Sequence, residues 1–347
     1  MRSSDLHLVC GALLGEKIPR AEQERLWALA RQARVEEELA RVRKSALGRR
    51  ALVESAAVGA LRLAEFSRIA GALRAADVEF APLKGMAYAL MFERGGPLRP
   101  MADSDILVRE GDFARAGEVM QGLGFREGFP DPLSGRPGQN ERVFTGDGML
   151  VEIHRAFVRG PRVRIDYPAL WARTLPLERE GIACRRLDAD DTFLYHCFHF
   201  AIHEFALGGL RAVWELRRLI LEDGPRLDAC ARRAREWGTS RALFCALRIY
   251  QECFPDPVER TITDTGSGRG ALTGERVDPA AWAEAFAPPP PARALLERLV
   301  IAPSLSRLLS PGPLERPAQL LRKALLVDSL GAAAAYLGWY LWRRLGP

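Results

Sequence analysis

The 347-residue sequence has no CxxC pair, and its six cysteines (Cys10, Cys184, Cys197, Cys230, Cys245, Cys253) are scattered. That argues against a structural zinc site built on paired thiolates and against a disulfide scaffold, and it fits a reducing cytoplasm. No apolar run reaches the roughly 20 residues of a spanning helix. The longest candidate, Ser329 to Trp342, has 14 uncharged residues and follows Asp328. A buried or partner-facing helix fits it better than a peripheral membrane contact through Trp339, Trp342, Arg343 and Arg344. There is no Walker loop, no GxGxxG fingerprint and no GxSxG elbow. Gly266-Ser267-Gly268-Arg269-Gly270 does not join a strand to a helix and reads as linker. No repeat of 20–50 residues is present. The opening MRSSDLHLVCGALLGEKIPR carries one early Arg and an apolar run interrupted by an acid, a poor signal peptide.

What is present is ordinary globular material, with 48% hydrophobic and 27% charged residues. The length suggests two or three domains with a core large enough to need no staples. Net charge is +6. Beyond residue 292 there are eight Lys or Arg against three acids, so the last fifth of the chain holds +5 of that total. Such a tail can meet an anion, or can be a solvated Arg-rich helical face. Nucleic acid remains a possible partner without a motif to support it, because no RNP sequence or aromatic-interleaved basic stripe occurs.

The spacing of apolar residues divides the chain. Residues 1–75 read as an N-terminal helical segment with Leu, Val, Ala and Ile three and four apart. Residues 76–160 read β-α-β-α-β-β, a small mixed unit: VEFAPL, a turn at Lys84-Gly85, MAYALMFERG, SDILV, GDFARAGEVMQGLGF, and a hairpin ERVFTGDGMLVEIH. Residues 161–253 are helical, 254–292 are Gly- and Pro-rich and read as a flexible linker, and 293–347 form a basic helical end.

The chemistry concentrates in PLKGMAYALMFERGGPLRPMADSDILV (82–108) and LVEIH (150–154). Asp103 and Asp105 are two apart at the start of a strand, so both carboxylates project from one face. Glu152 lies in a second strand and joins them if the strands are neighbours. Three crowded acids need a counter-charge, and hard oxygen donors select Mg²⁺ or Mn²⁺. Gly85 opens a helix whose free N–H groups suit a phosphate, and Lys84 and Arg99 can neutralise more phosphate charge. His154 shares a strand face with Glu152; it either orients that carboxylate, touches substrate, or is a satisfied structural histidine.

In this order the residues resemble the nucleotidyltransferases of DNA polymerase beta type. More narrowly they are similar to a bacterial family of uncharacterised nucleotidyltransferases that reads LKG, a short helix, RxxxD[IS]D[IL]LV and [VL]E[IL]H. The counterparts here are Leu83-Lys84-Gly85, Arg99, Asp103-Ser104-Asp105-Ile106-Leu107-Val108 and Val151-Glu152-Ile153-His154. The likeness covers about residues 60–225. It implies an α+β fold with a mixed-sheet core flanked by helical regions. It implies Asp103 and Asp105 as metal ligands, Glu152 as a third ligand or as the base for the acceptor hydroxyl, and nucleotide grip from Lys84, Gly85, Arg99 and His154. Where the superfamily has Gly-Ser or Gly-Gly, this chain has Gly85-Met86.

The expected activity is therefore Mg²⁺- or Mn²⁺-dependent transfer of a nucleoside monophosphate from an NTP such as ATP to an unidentified acceptor hydroxyl on a small molecule, a peptide or protein, or RNA. The alternative is a catalytically silent protein of the same fold that binds a nucleotide or a partner. His196, His199 and His203 line one helix face. They read as packing residues before they read as a second metal site, since position 200 is Phe and no HExxH is formed.

Overall fold

Within the N-terminal stretch read as helical, Ala46–Ala75 forms one long helix, and its apolar spacing shows why: Phe66, Ile69, Ala70 and Leu73 fall three and four apart and are all buried. A computed structural model describes residues 3–43, 46–92, 101, 103–128, 140–146, 148–158, 163–203, 205, 209–263, 272–309, 316–329, 331, 333–335 and 337–338. The chain divides into two units, one of Met1–Gly48, Pro161–Ile165 and Ala189–Pro347, the other of Arg49–Gly160 and Asp166–Asp188.

The second unit holds the sheet. After α1 (Ser3–Leu13), α2 (Gln23–Gln32) and α3 (Glu36–Val42), which belong to the first unit, come α4 (Ala46–Ala75), β1 (Phe80–Leu83), α5 (Lys84–Phe92), β2 (Asp103–Val108), α6 (Phe113–Gly122), β3 (Arg126–Glu127), β4 (Glu141–Gly146) and β5 (Met149–His154). The strands order β1-β2-β5-β4-β3, with β2 and β5 parallel and the other pairs antiparallel. The chain is α+β, as its residue pattern implies. Side chains alternate across the sheet. Ile106, Val108, Val151, Ile153 and Phe144 face a core that they share with α4 and with Ala116 and Met120 of α6. Phe66 meets Phe80 edge-on at 6.3 Å between ring centres. Asp103, Asp105, Glu152 and His154 therefore fall on the opposite face. α7 (Tyr167–Arg173) and the hairpin β6 (Leu175–Arg179)–β7 (Ile182–Arg186) complete this unit, with Ile182 in the same core.

Two boundaries differ from the sequence reading. The sheet unit begins at Arg49, not at 76, because α4 donates Phe66, Ile69 and Leu73 to the sheet's core. It also takes 166–188 from the segment read as helical, because the β6–β7 hairpin packs its apolar face against β1.

The first unit continues with α8 (Ala189–Ile202), α9 (Leu210–Arg218), α10 (Leu227–Trp237) and α11 (Ser240–Cys253). The stretch read as linker forms a hairpin, β8 (Val258–Thr263) with β9 (Leu272–Val277), then α12 (Pro279–Glu284), capped by the Asp278 carboxylate accepting from the Ala280 N–H at 2.9 Å. The Gly266–Gly270 motif lies outside the described residues. α13 (Pro290–Leu296), α14 (Ala302–Leu305) and α15 (Arg316–Leu325) follow. Among the described residues no helix is long and apolar enough to cross a membrane. Trp339, Trp342, Arg343 and Arg344 lie outside them. Asp328, which interrupts the apolar run, accepts from the backbone N–H groups of Ser240 and Arg241, each at 2.8 Å. It caps α11 from a distant part of the chain, a task that the Thr239 side chain at the N-cap does not perform.

Candidate functional site

The site starts at a sharp corner. β1 ends at Leu83 and α5 begins at Lys84, which holds φ +48. A side chain other than glycine pays of order 1–2 kcal/mol for this left-handed backbone, so the corner is held by what its side chain does. Leu83 pairs with Asp105 in the β1–β2 register, and the corner delivers the Lys84 Nζ to the Asp105 Oδ1 at 2.6 Å.

The parallel β2–β5 register sets Asp105 opposite Glu152 and Leu107 opposite His154. The β4–β5 register sets Glu141 opposite His154. The His154 Nε2 lies 3.0 Å from Asp105 Oδ1 and 3.3 Å from Glu152 Oε2. Its Nδ1 faces Glu141 Oε2 at 3.8 Å. Asp105 is 2% exposed and His154 is buried, whereas the Glu152 side chain keeps 24% exposure and is open to a substrate.

Burial acts on all three inner groups, and opposite charges outweigh it. Burial alone would push the Asp105 carboxyl up; the Lys84 charge, and then His154, hold it well below the usual carboxylate range. Burial would lower Lys84, but Asp105 raises it, with smaller help from Glu152 and Asp103. Burial would likewise lower His154; its hydrogen bonds to Asp105 and Glu152 carry it up to about 9. At neutral pH the site is thus an ionised Asp105 flanked by an ammonium and an imidazolium, and both Nε2–H contacts donate to carboxylate oxygens.

Of the residues singled out from sequence, Asp105, Glu152 and His154 come together: one ligand atom from each lies within 4.8 Å of the others. Among the described residues this is the only group of three or more His, Cys, Asp or Glu side chains placed to hold an ion. Asp103 opens β2, half-buried, on the same face. Gly85 is buried in the first turn of α5. Arg99 lies outside the described residues. Sequence reasoning placed His154 with the nucleotide rather than the ion-holding group, and it missed Glu141. The hairpin carries the signal for Glu141: counting back from its Gly-Asp-Gly turn pairs Glu141 with His154. The donor set of carboxylates and one imidazole suits a hard divalent cation. His154 can join as a ligand only by giving up its proton.

The α8 histidines do other work. His196 Nε2 donates to the Ala212 carbonyl at 2.8 Å, joining α8 to α9. The His199 and His203 rings stack at 4.4 Å between centres, tilted by 50°.

An LKG corner, a same-face acid pair and a parallel neighbour bearing Glu and His are thus one constellation on one sheet. Residues 20–255 match a family described as uncharacterised nucleotidyltransferase. The chain belongs to that family. No curated protein matches it. Membership in a nucleotidyltransferase family and a carboxylate-rich group that could hold a metal support nucleotidyl transfer as the general activity.

Proposed function

We propose that this nucleotidyltransferase moves a nucleoside monophosphate from an NTP, ATP among the candidates, to an acceptor hydroxyl, using Mg²⁺ or Mn²⁺ held by Asp105 and Glu152 with Asp103 beside them. The observation that carries the reading is the gathering of Asp105, Glu152 and His154 within 4.8 Å on the sheet face opposite the core. A bound divalent cation supplies charge neutralisation for the triphosphate and the pentacoordinate phosphorus.

The chain's own groups would do the rest. The free N–H groups in the first turn of α5, at Gly85, point a positive helix end toward phosphate oxygens, and Arg99 adds a guanidinium. Glu152, more accessible than the buried Asp105, takes the proton of the acceptor hydroxyl as its oxygen bonds to the α-phosphorus. The α–β phosphoanhydride bond breaks and pyrophosphate leaves. His154 holds Glu152 and Asp105 in register through Nε2. Preorganised charge, rather than a covalent intermediate, supplies the acceleration. The six cysteines, none of them in a disulfide, support a reducing, cytoplasmic setting. The basic C-terminal fifth favours an anionic acceptor.

Thermal shift with each NTP and Mg²⁺ or Mn²⁺, on the wild type and on Asp103→Asn/Asp105→Asn, tests this. A ligand at 100 times its Kd stabilises by about 2.7 kcal/mol. A metal-dependent shift lost in the double variant, followed by pyrophosphate release with an acceptor, is the expected result. A shift with nucleotide but no release with any acceptor class would favour the silent, nucleotide-binding alternative, which Met86 in the place of Ser or Gly also favours.

A further inference from the structure

The corner at Lys84 raises a question of stoichiometry. Phosphoryl-transfer sites of this kind can use two ions about 4 Å apart, bridged by a shared carboxylate. In this chain Asp105 is the most buried carboxylate of the group, is central to it, and is suited to bridging. Its Oδ1 already accepts from Lys84 at 2.6 Å and from His154 at 3.0 Å. Lys84 reaches this oxygen from a backbone at φ +48, a conformation that glycine adopts freely and lysine does not. Gly85 stands next in the chain, so a residue without that strain is one position away. The energetic cost of lysine at the corner is explained by the position of its charge.

We infer that the Lys84 ammonium takes the place of one of the two cations, so that the site of this nucleotidyltransferase binds a single divalent ion, a consequence that rests on the metal-dependent reading above. The role of Lys84 is to position: its fixed charge holds Asp105 and fills one half of a two-ion site. Its substrate-facing consequence is that phosphate charge is met by one exchangeable ion and one permanent cation.

Manganese counting on the full chain tests the inference without any acceptor. Equilibrium dialysis with Mn²⁺, paired with electron paramagnetic resonance, is expected to give one ion per wild-type chain and an uncoupled six-line spectrum. Lys84→Met, which keeps the length and removes the charge, is expected to bind two Mn²⁺ with an exchange-coupled spectrum. Two coupled ions in the wild type would overturn the role of Lys84 and leave the metal-dependent reading standing. No bound Mn²⁺ in the wild type would overturn both. A folded Lys84→Met chain that still binds one uncoupled ion would also overturn the inference. If Lys84→Met fails to fold, the wild-type count decides alone.

Discussion

The acid pairs Asp190–Asp191 and Asp103–Asp105 both stand at the start of an element, and their surroundings differ. Asp190 and Asp191 open α8. Asp191 accepts from the Arg233 guanidinium at 2.9 Å. Asp190 accepts from the Arg226 backbone N–H at 2.7 Å and stands 3.5 Å from Arg233. The helix N-terminus adds its own partial positive charge. Acids and cations balance there, and the pair ties α8 to α10 and to the residue before it. Asp103 and Asp105 open β2, and the registers of β5 and β4 bring Glu152 and Glu141 beside them. Four acids then surround one ammonium and one imidazole. The surplus of negative charge, not the presence of paired acids, separates a place that can take a cation from a place that has its cations built in.

The largest expected effect breaks the comparison at its centre. Asp105→Asn removes the carboxylate that Lys84 and His154 share, and transfer per folded chain should fall by about 10²–10³, the scale of losing one preorganised charge contact. Retained activity would show that the acids near it suffice. Asp191→Asn is the matching change in the α8 pair. Removing one partner of a buried ion pair costs about 3–5 kcal/mol, read as a lower urea midpoint, while Mn²⁺ binding and transfer per folded chain stay at wild-type levels. A loss of Mn²⁺ binding in Asp191→Asn would erase the distinction.

The pH dependence sharpens it further. His154 is raised in the fold from 6.5 to about 9. Its stabilising contribution is fully present below pH 6.5 and is lost as pH rises through about 9. The metal-free chain should lose stability across that interval, and His154→Gln should flatten the profile. A wild-type profile unchanged over the same interval would show that His154 is neutral in the fold. The smallest effect lies at the distant cap of α11. Asp328→Ala should cost about 0.5–2 kcal/mol, as helix caps do, read by urea denaturation, with no change in Mn²⁺ binding.

How much of this was readable before the fold? The i, i+2 acids needed only the period of a strand, and the Gly-Asp-Gly turn needed only hairpin chemistry. The alternation of Val151 and Ile153 with Glu152 and His154 marked which face was wet. Lys84 reads as a candidate to neutralise phosphate charge because it stands beside the Gly85 turn. Its actual partner follows from a positive φ and from the β1–β2 register, neither of which local spacing contains. The helix α4 was assigned to the wrong unit because an amphipathic stripe says that a face is buried and not against what. Asp328 read as a break in an apolar run because its partners, Ser240 and Arg241, are far away in the chain.

The sequence by itself determined the main strands and helices of the sheet from β1 to β5, the shared strand face of Asp103 and Asp105, that of Glu152 and His154, and the family. Those features depend on periods of two and of 3.6 and on contiguous residues, which short-range sterics and hydrophobic patterning dictate. Only the tertiary structure decided that Asp105 is shared by Lys84 and His154, that α4 belongs to the sheet, and that Asp328 caps α11. Each of those depends on strand register or on contacts between residues distant in the chain, and electrostatic contacts at 2.6–3.0 Å are made or lost by displacements smaller than one residue step.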